Sequence, residues 1–326
     1  MRRAIRPPLG VRGALRQHVW VRPGTSTFHL TPDGYRRITF AALLSLCGII
    51  VTGAAVRLTG SGLGCTDWPA CDHNRLVAPL QLHPMIEQLN RYLTGIVSIA
   101  VILAVLGSMV RVPRRADLTR WSWLLVAGVV AQIIIGAVVT KSDLAYSVVA
   151  VHFLVSMALV WAATVLNHRA ARPDDEPVGR RRWPAPTRLL VAAATLVLLT
   201  GPIVTSAGPH AGDRHVKRLP VDLTWAARVH SGTVWLFLGV LVWFALGVRR
   251  GGDAAAMRRV TDLLTAAIVQ GAIGYIQYFT GVPPLLVGVH VAGATLVWVL
   301  VLRIGLSSSV PARDHQPETA PAGAAT

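Results

Sequence analysis

The chain has 326 residues, of which 53% are hydrophobic and only 14% are charged, and its formal net charge is +17. A soluble domain usually has about 25% charged residues, so this composition excludes an ordinary soluble protein. The positive charge does not indicate a nucleic-acid-binding protein, because the basic segments alternate with long hydrophobic runs.

Eight hydrophobic runs follow one another along the chain. Each is close to the roughly 20 apolar residues that a helix needs to cross a bilayer core. The runs are 38–56, 86–108, 121–140, 146–167, 188–207, 223–247, 260–280 and 284–305. Because lipid offers the backbone no hydrogen-bond partner, each run is predicted to be a helix. The predicted fold class is therefore an all-α polytopic membrane protein with eight transmembrane helices.

The basic residues are concentrated before the first run, after the second, fourth and sixth runs, and after the last run. Positive residues mark the cytoplasmic side of a membrane protein. We therefore expect a multi-pass protein of the cell (plasma) membrane, surrounded by lipid, with both termini in the cytoplasm. Residues 1–36 are interpreted as a disordered basic cytoplasmic arm and residues 307–326 as a disordered tail.

The two halves of the chain resemble each other. Gln132 precedes a glycine by 4 residues and His152 by 20, and Gln270 has the same spacing to a glycine and to His290. Matched polar positions at equal spacing indicate an internal repeat. The repeat predicts two pseudo-symmetric four-helix bundles that share one orientation, because each contains an even number of helices.

These bundles define the predicted domain organisation. The N-terminal bundle covers 38–168 and the C-terminal bundle covers 188–305. Between them, residues 169–187 are rich in Arg and Pro and contain an acidic cluster, so they are interpreted as a cytoplasmic linker.

Three histidines lie within the predicted helices at similar depth. His152, His230 and His290 are each six or seven residues from the outer helix end, or roughly 9–10 Å below it. Ionisable residues inside a membrane are costly and are candidates for function. His230 and His290 belong to one bundle, where two imidazoles meeting from opposite sides suit the axial positions of haem iron. The alternative is a pair of hydrogen-bonded core histidines.

The second run carries a polar face near its outer end. Glu87 and Asn90 are three residues apart, and Asn90 occupies the place that corresponds to the histidines of the other runs. Glu87 is either a carboxylate facing a substrate or a first-turn residue favoured by the helix dipole. Arg91 either pairs with a haem propionate or extends its charge to the membrane interface.

The first outer loop contains two cysteines, Cys65 and Cys71, separated by five residues that include Pro. On the oxidising side of a membrane a disulfide persists. The pair is interpreted either as a structural staple or as an exposed redox-active pair. Cys47, inside the first run, is interpreted as a packing residue.

The sequence resembles the haem A synthase family over about residues 38–305. The resemblance rests on the outer loop from Arg57 to Cys71, on Glu87 at the start of the second run, and on the histidines at helix starts, which are His152, His230 and His290. The loop together with the repeated histidines is a specific pattern, whereas a single histidine is not.

The resemblance implies a haem b cofactor held by His230 and His290, and a substrate, haem O, received in the N-terminal bundle. There the family has a Glu-x-x-His pattern in the second run and a histidine in the fourth. This chain matches the glutamate (Glu87) and the histidine of the fourth run (His152), but it has Asn90 where the other histidine is expected.

The substitution at position 90 leaves two alternatives for the substrate iron. Either His152 alone holds it, or another group such as His83 takes the missing place. Asn90, His83 and Arg91 are therefore candidates for contact with the substrate haem.

The resemblance also implies an activity, the oxidation of the C8 methyl of haem O to a formyl group to give haem A for cytochrome c oxidase, with Glu87 as the catalytic residue. Haem O synthase and an electron donor are the expected partners, and a homo-oligomer is possible. An electron carrier similar to a membrane cytochrome b would account for the histidines but not for Glu87 or the cysteine loop. A transporter built from repeats is a third class of protein, and the absence of Gly or Pro interruptions at matching mid-helix positions argues against it.

Overall fold

The computed structural model describes residues 29–65, 67–72, 77–176 and 181–311. Eight α-helices account for most of this part of the chain. They are α1 (Pro32–Leu58), α2 (Leu82–Val110), α3 (Ala116–Lys141), α4 (Tyr146–Ala170), α5 (Ala185–Ala207), α6 (Leu223–Arg250), α7 (Ala254–Phe279) and α8 (Pro284–Ser307). Two short strands, β1 (Arg181–Arg182) and β2 (Val310–Pro311), form an antiparallel pair.

Seven of the eight described helices are long and apolar enough to cross a membrane. The other one is α7, which has 26 residues but carries polar side chains such as Asp262, Gln270 and Gln277. It packs against both α6 and α8, which are candidate membrane spans. The predicted all-α polytopic fold is confirmed, and the chain is a multi-pass membrane protein.

Local chemistry determines where several of the helices begin. The Thr31 hydroxyl accepts a hydrogen bond from the Gly34 N–H at 3.1 Å, and Pro32 supplies a first-turn residue that needs no N–H partner. The Asp222 carboxylate caps α6 in the same way, accepting from the Trp225 N–H at 2.7 Å. Asp253 caps α7 through the N–H groups of its second and third following residues.

Each half of the chain forms a closed ring of four helices. In the first ring α1 contacts α2 and α4, and α3 contacts the same two helices. The second ring repeats this arrangement with α5 to α8. The rings meet through the pairs α1–α8, α4–α5 and α4–α8. Exchanging each helix with its counterpart four helices later converts α1–α8 into α5–α4, so the contacts between the halves obey an approximate two-fold symmetry.

Two ends of this assembly are distinguished by their loops. The disulfide end carries the connections 59–81, 142–145, 208–222 and 280–283. The arginine-rich end carries the connections 111–115, 171–184 and 251–253, together with the start of α1 and the end of α8. The three histidines predicted as ligands lie in the halves of their helices nearer to the disulfide end.

The predicted domain boundaries shift by a few residues. Because Thr31 and Pro32 start α1, residues 32–36 belong to this helix and not to the predicted arm. Leu30 is also held, since its N–H donates to the Val110 carbonyl and its carbonyl accepts from the Val112 N–H, each at 3.1 Å. Residues 1–28 of the arm and 312–326 of the tail lie outside the described residues.

The predicted linker is partly regular structure. Helix α4 continues to Ala170, and α5 already begins at Ala185, after Pro184. Strand β1, in the linker, pairs with β2, which follows α8. Residues 177–180 lie outside the described residues.

Candidate functional site

A cavity of about 980 Å³ runs through the interior and is lined by helices of both halves. His152, His230 and His290 all line it, as do Glu87 and Asn90. Most of the other lining residues are apolar, so the cavity suits a large hydrophobic ligand with a few polar contacts. The structure therefore brings the predicted residues of both halves to one continuous space.

His230 is oriented by a threonine of the neighbouring helix. Its Nδ1 lies 2.9 Å from the Thr200 hydroxyl, which in turn lies 3.0 Å from the Thr233 hydroxyl. When Nδ1 donates its proton to Thr200, Nε2 carries the lone pair that a metal requires. This arrangement is typical of metal-binding histidines, whose second nitrogen is held by a hydrogen bond.

His290 lies on α8, which is diagonally opposite α6 in the ring of four helices. The Gln270 side-chain amide donates to the His290 backbone carbonyl at 2.7 Å, and this bond joins α7 to α8 beside the imidazole. The His290 Nδ1 is buried without a hydrogen-bond partner among the described residues. The two imidazoles of this half therefore reach the cavity from opposite sides of the bundle.

A glycine lies next to each of the two imidazole rings, His230 and His290. A Cβ atom added at Gly201 would lie 3.7 Å from the His230 ring, and one added at Gly274 would lie 3.0 Å from the His290 ring. A larger side chain at Gly274 would require the imidazole to move. These positions leave the space beside each histidine to a flat ligand.

The N-terminal half repeats this geometry, with one replacement. The Gln132 side-chain amide donates to the His152 carbonyl at 3.0 Å, and a Cβ at Gly136 would lie 3.7 Å from the His152 ring. The Thr52 hydroxyl donates to the Asn90 Oδ1 at 2.8 Å, where Thr200 contacts His230 in the other half. Asn90 thus occupies the structural position of His230, as the sequence repeat predicts.

A haem fits the donor set of the C-terminal half. Two histidines on diagonally opposite helices supply two nitrogen ligands, and the glycines leave room for a planar macrocycle. The described residues bring together no group of three or more His, Cys, Asp or Glu side chains that would hold a bare metal ion. The N-terminal half offers one imidazole, His152, and no second one in the equivalent place.

Glu87 is buried and both of its carboxylate oxygens have partners. Oε2 accepts from the Cys65 N–H at 2.8 Å, and Oε1 accepts from the Arg91 guanidinium at 2.6 Å. Arg91 also donates to the backbone carbonyls of Asp67 and Ala70, each at 3.1 Å. The pair of side chains therefore fastens the outer loop onto the start of α2.

The outer loop is closed by a disulfide between Cys65 and Cys71, as predicted. Both cysteines are buried, and Trp68 and Pro69 between them line the cavity. The loop therefore forms part of the cavity wall at the disulfide end. Cys47 is a free thiol packed against the hydrophobic core, in agreement with its interpretation as a packing residue.

His83 does not line the cavity. It is exposed, and its Nδ1 lies 2.9 Å from the Ser61 hydroxyl in the outer loop. The short contact between Gly64 and the His83 backbone, where an added Cβ would lie 2.5 Å from the His83 carbonyl group, keeps this residue at the loop surface. The structure thus gives no support to His83 as a substitute for the missing ligand.

Two cavity residues were not identified from the sequence pattern. His210 belongs to the loop 208–222, and its Nε2 lies 2.7 Å from the Val282 carbonyl. Arg57 lies in the last turn of α1 and donates to the Thr205 carbonyl of α5 at 2.6 Å. Both line the cavity. In the sequence His210 is marked only by its place after a hydrophobic run, and Arg57 by its place at the start of the loop on which the family resemblance rests.

Comparison with known proteins gives a consistent family. Relatives called "Heme A synthase" from an Exiguobacterium species (strain AT1b) and from Exiguobacterium sibiricum are 30% and 32% identical, over 42% and 40% of this chain. The chain spans about half the length of these relatives, 47% and 43%. A "Heme A synthase" of Staphylococcus saprophyticus is 23% identical over 81% of this chain and 92% of the relative.

A family model described as "Cytochrome oxidase assembly protein" (COX15-CtaA) matches residues 36–84 and 78–209. These two overlapping segments run from the first turns of α1 to the end of α5 and cover more than half of the chain. They include the disulfide loop, Glu87 and His152. The chain therefore belongs to the cytochrome oxidase assembly protein family.

Proposed function

We propose that this protein is a haem A synthase, which oxidises the C8 methyl of haem O to a formyl group and so supplies haem A for cytochrome c oxidase. Membership of the family and the names of the relatives support this activity. The observation that carries the proposal is the repeated pocket, in which one half presents two histidines and the other presents one histidine and a buried carboxylate that line the same cavity.

The C-terminal half is the cofactor site in this proposal. His230 and His290 would hold the iron of haem b, with Thr200 fixing the orientation of His230. The bound cofactor would relay electrons to the substrate. The role of the chain here is to hold the two imidazoles and to exclude water with the apolar cavity wall.

The N-terminal half is the substrate site. His152 is the imidazole available to the iron of haem O, and Asn90 supplies an amide in place of a second ligand. Because the Asn90 Oδ1 already accepts from Thr52, its side-chain NH₂ group is the part left to contact the substrate. A substrate held by one protein ligand exchanges more readily than a cofactor held by two, and release of product is part of this activity.

Glu87 is the residue of this site whose charge serves the reaction. Conversion of a methyl to a formyl group proceeds by successive hydroxylations and loss of water. A carboxylate lining the cavity stabilises positive charge developing at the substrate carbon or takes part in proton transfer. Since Glu87 also binds the Cys65 N–H, the disulfide loop holds the carboxylate in its place.

The test is the pigment made in cells that produce haem O but have no other haem A synthase. Expression of this chain should yield haem A, or its hydroxylated precursor, when the extracted haems are separated by chromatography. Glu87→Gln should reduce haem A strongly, whereas it should leave the haem content of the C-terminal site unchanged. Full haem A production by Glu87→Gln would refute the role of Glu87.

The same measurement separates the activity from electron transfer alone. A purified protein that binds haem b but yields neither haem A nor the precursor in these cells would be an electron carrier similar to cytochrome b. A protein that shows no haem absorption at all would contradict both functions. His230→Ala and His290→Ala should each lower the haem b content of the purified protein.

The location and partners belong to the same proposal. The protein in this proposal lies in the plasma membrane with its arginine-rich end and both termini in the cytoplasm, and the concentration of positive residues at that end supports this orientation. Haem O synthase would deliver the substrate, an electron donor would supply the cofactor, and self-association is compatible with this arrangement. Reporters fused to each terminus should both report a cytoplasmic location.

A further inference from the structure

Arg57 is a cation on the wall of the cavity, and no described residue balances its charge. Its Nη2 donates to the Thr205 carbonyl at 2.6 Å. Its Nε is buried without a hydrogen-bond partner, and no carboxylate among the described residues forms an ion pair with it. Among the described residues, one neutral carbonyl thus accepts a hydrogen bond from a guanidinium group that has five N–H donors.

Arg91 provides a contrast, because it also lines the cavity and is satisfied. It pairs with Glu87 and donates to carbonyls of the disulfide loop. A guanidinium removed from water without a counter-ion is strongly unfavourable, so buried charges in proteins are normally paired. The unpaired donors of Arg57 therefore indicate that an anionic group of a ligand lies beside it.

The position of Arg57 identifies which half of the cavity this group occupies. Arg57 belongs to α1, but its guanidinium lies against α5, five residues beyond Thr200, the partner of His230. Five residues correspond to roughly 7.5 Å along the helix, toward the disulfide end. The next residue, Leu58, lies close to α8, since a Cβ added at Gly288, two residues before His290, would lie 3.4 Å from the Leu58 Cδ1. The charge thus lies at the outer edge of the C-terminal pocket.

The stem of Arg57 is covered by the second half of the chain. A Cβ added at Gly212 would lie 3.5 Å from the Arg57 Cγ, and Gly212 carries a backbone carbonyl that accepts from the Gly62 N–H at 3.0 Å. The loop 208–222 therefore holds the side chain in the cavity wall, away from the loop surface.

We propose that Arg57 binds a propionate carboxylate of the haem whose iron is held by His230 and His290. A porphyrin of this kind carries two carboxylates on one edge, and a guanidinium matches a carboxylate with two parallel hydrogen bonds. The N-terminal half would then complete the cofactor site of the C-terminal half. This inference rests on the proposed function to the extent that haem is the bound ligand.

The test compares haem with its dimethyl ester, which keeps the ring and iron but has no carboxylate charge. Full-length protein produced without haem is titrated with each compound in a His152→Ala background, so that only the C-terminal site is read by the Soret absorption. With Arg57 present, the free acid should bind about ten- to hundredfold more tightly than the ester, the range for hydrogen bonds to a charged group. Arg57→Gln should remove most of this preference.

The matched control is Arg218→Gln. Arg218 is an exposed arginine of the loop 208–222 that also donates to a backbone carbonyl, that of Pro209 at 3.0 Å, but it does not line the cavity. This variant should keep the full preference for the free acid. The preference is the ratio of two affinities of one variant, for the free acid and for the ester, so a general loss of stability in Arg57→Gln does not mimic the expected result. Arg57→Lys should retain an intermediate preference.

The outcomes separate this inference from the proposed function. If Arg57→Gln keeps the preference in the His152→Ala background, the inference is wrong while the function stands. If the preference is lost only when the N-terminal site is read in a His230→Ala background, Arg57 contacts the substrate haem and the assignment to the cofactor is overturned. If the protein with native Arg57 binds neither compound, the proposed function itself fails.

Discussion

Side chains that are not themselves candidate iron ligands orient the side chains at the ligand positions. The Thr200 hydroxyl lies 2.9 Å from the His230 Nδ1 and is itself held by Thr233. The equivalent hydroxyl of the other half, Thr52, holds Asn90. A threonine at the equivalent position of each half thus orients the side chain at the ligand position of the next helix, Asn90 in one half and His230 in the other.

Thr200→Val keeps the shape of the side chain but removes the oxygen that His230 contacts. We expect the affinity of the C-terminal site for haem to fall by about tenfold, the lower part of the range for residues that orient a metal ligand. Titration of haem into purified protein, followed by the Soret absorption, measures this change. Thr195→Val is the control, since within the described part of the chain its hydroxyl bonds only to the Val191 carbonyl of its own helix. Equal affinities for the two variants would show that the Thr200 bond does not position His230.

At the scale of whole elements, the arginine-rich end is joined by ion pairs instead of by a disulfide. Arg111, just after α2, is 1% exposed and pairs with Asp174 of the linker at 2.6 Å. It also donates to the Pro113 carbonyl. Arg115 pairs with Asp117 of α3 at 3.0 Å, and Arg169 of α4 pairs with the same carboxylate at 3.2 Å. These contacts join α2, α3, α4 and the linker.

Asp174→Asn should destabilise the protein because it leaves the Arg111 guanidinium buried without a counter-ion. Breaking a fully buried pair costs 3–5 kcal/mol, and because the Asp174 side chain is 26% exposed we expect a smaller loss, about 2 kcal/mol. The midpoint of thermal unfolding in detergent should fall accordingly. Asp175→Asn makes the same change of charge on a neighbouring exposed residue, and its midpoint should stay within the error of the native protein. A shift of equal size in both variants would mean that net charge matters and the ion pair does not.

For the molecule as a whole, the features predictable from the sequence are those fixed by the bilayer and by the repeat. Seven of the eight hydrophobic runs lie within the described helices, and the run 260–280 passes the end of α7 by one residue, because spanning lipid requires long apolar helical segments. The equivalence of Asn90 and His230 follows from the repeat and is visible in their threonine partners. Both are regularities of local pattern.

Contacts between distant segments were not predictable in the same way. The Glu87 bond to the Cys65 N–H joins residues 22 apart, and the Arg57 bond to Thr205 joins residues 148 apart. Hydrophobic periodicity carries no information about such pairs, because they depend on how the loops close over the helix ends. For the same reason the sequence left His83 open as a substitute for the missing ligand, whereas in the structure it is exposed and contacts Ser61.

The symmetry of the two halves predicts that their ligand sets can be exchanged. Asn90→His places an imidazole where the Thr52 hydroxyl can orient it, as Thr200 orients His230. Room is available, since a Cβ at Gly53, the counterpart of Gly201, would have no heavy atom within 4 Å. We expect this variant to retain a second haem per chain through gel filtration.

The reciprocal variant His230→Asn should lose tightly bound haem, because the C-terminal half is then left with His290 as its one imidazole. The haem content per chain of both variants is measured by the pyridine haemochrome absorption relative to the protein concentration, so the two values can be compared directly. A chain that carries both substitutions should return to the haem content of the native protein, with the tight site moved to the N-terminal half. If Asn90→His retains no additional haem although its fold is intact, the two pockets differ in more than this one ligand. The difference between the cofactor site and the substrate site must then come from the disulfide loop and Glu87, which have no counterpart in the sequence of the second half.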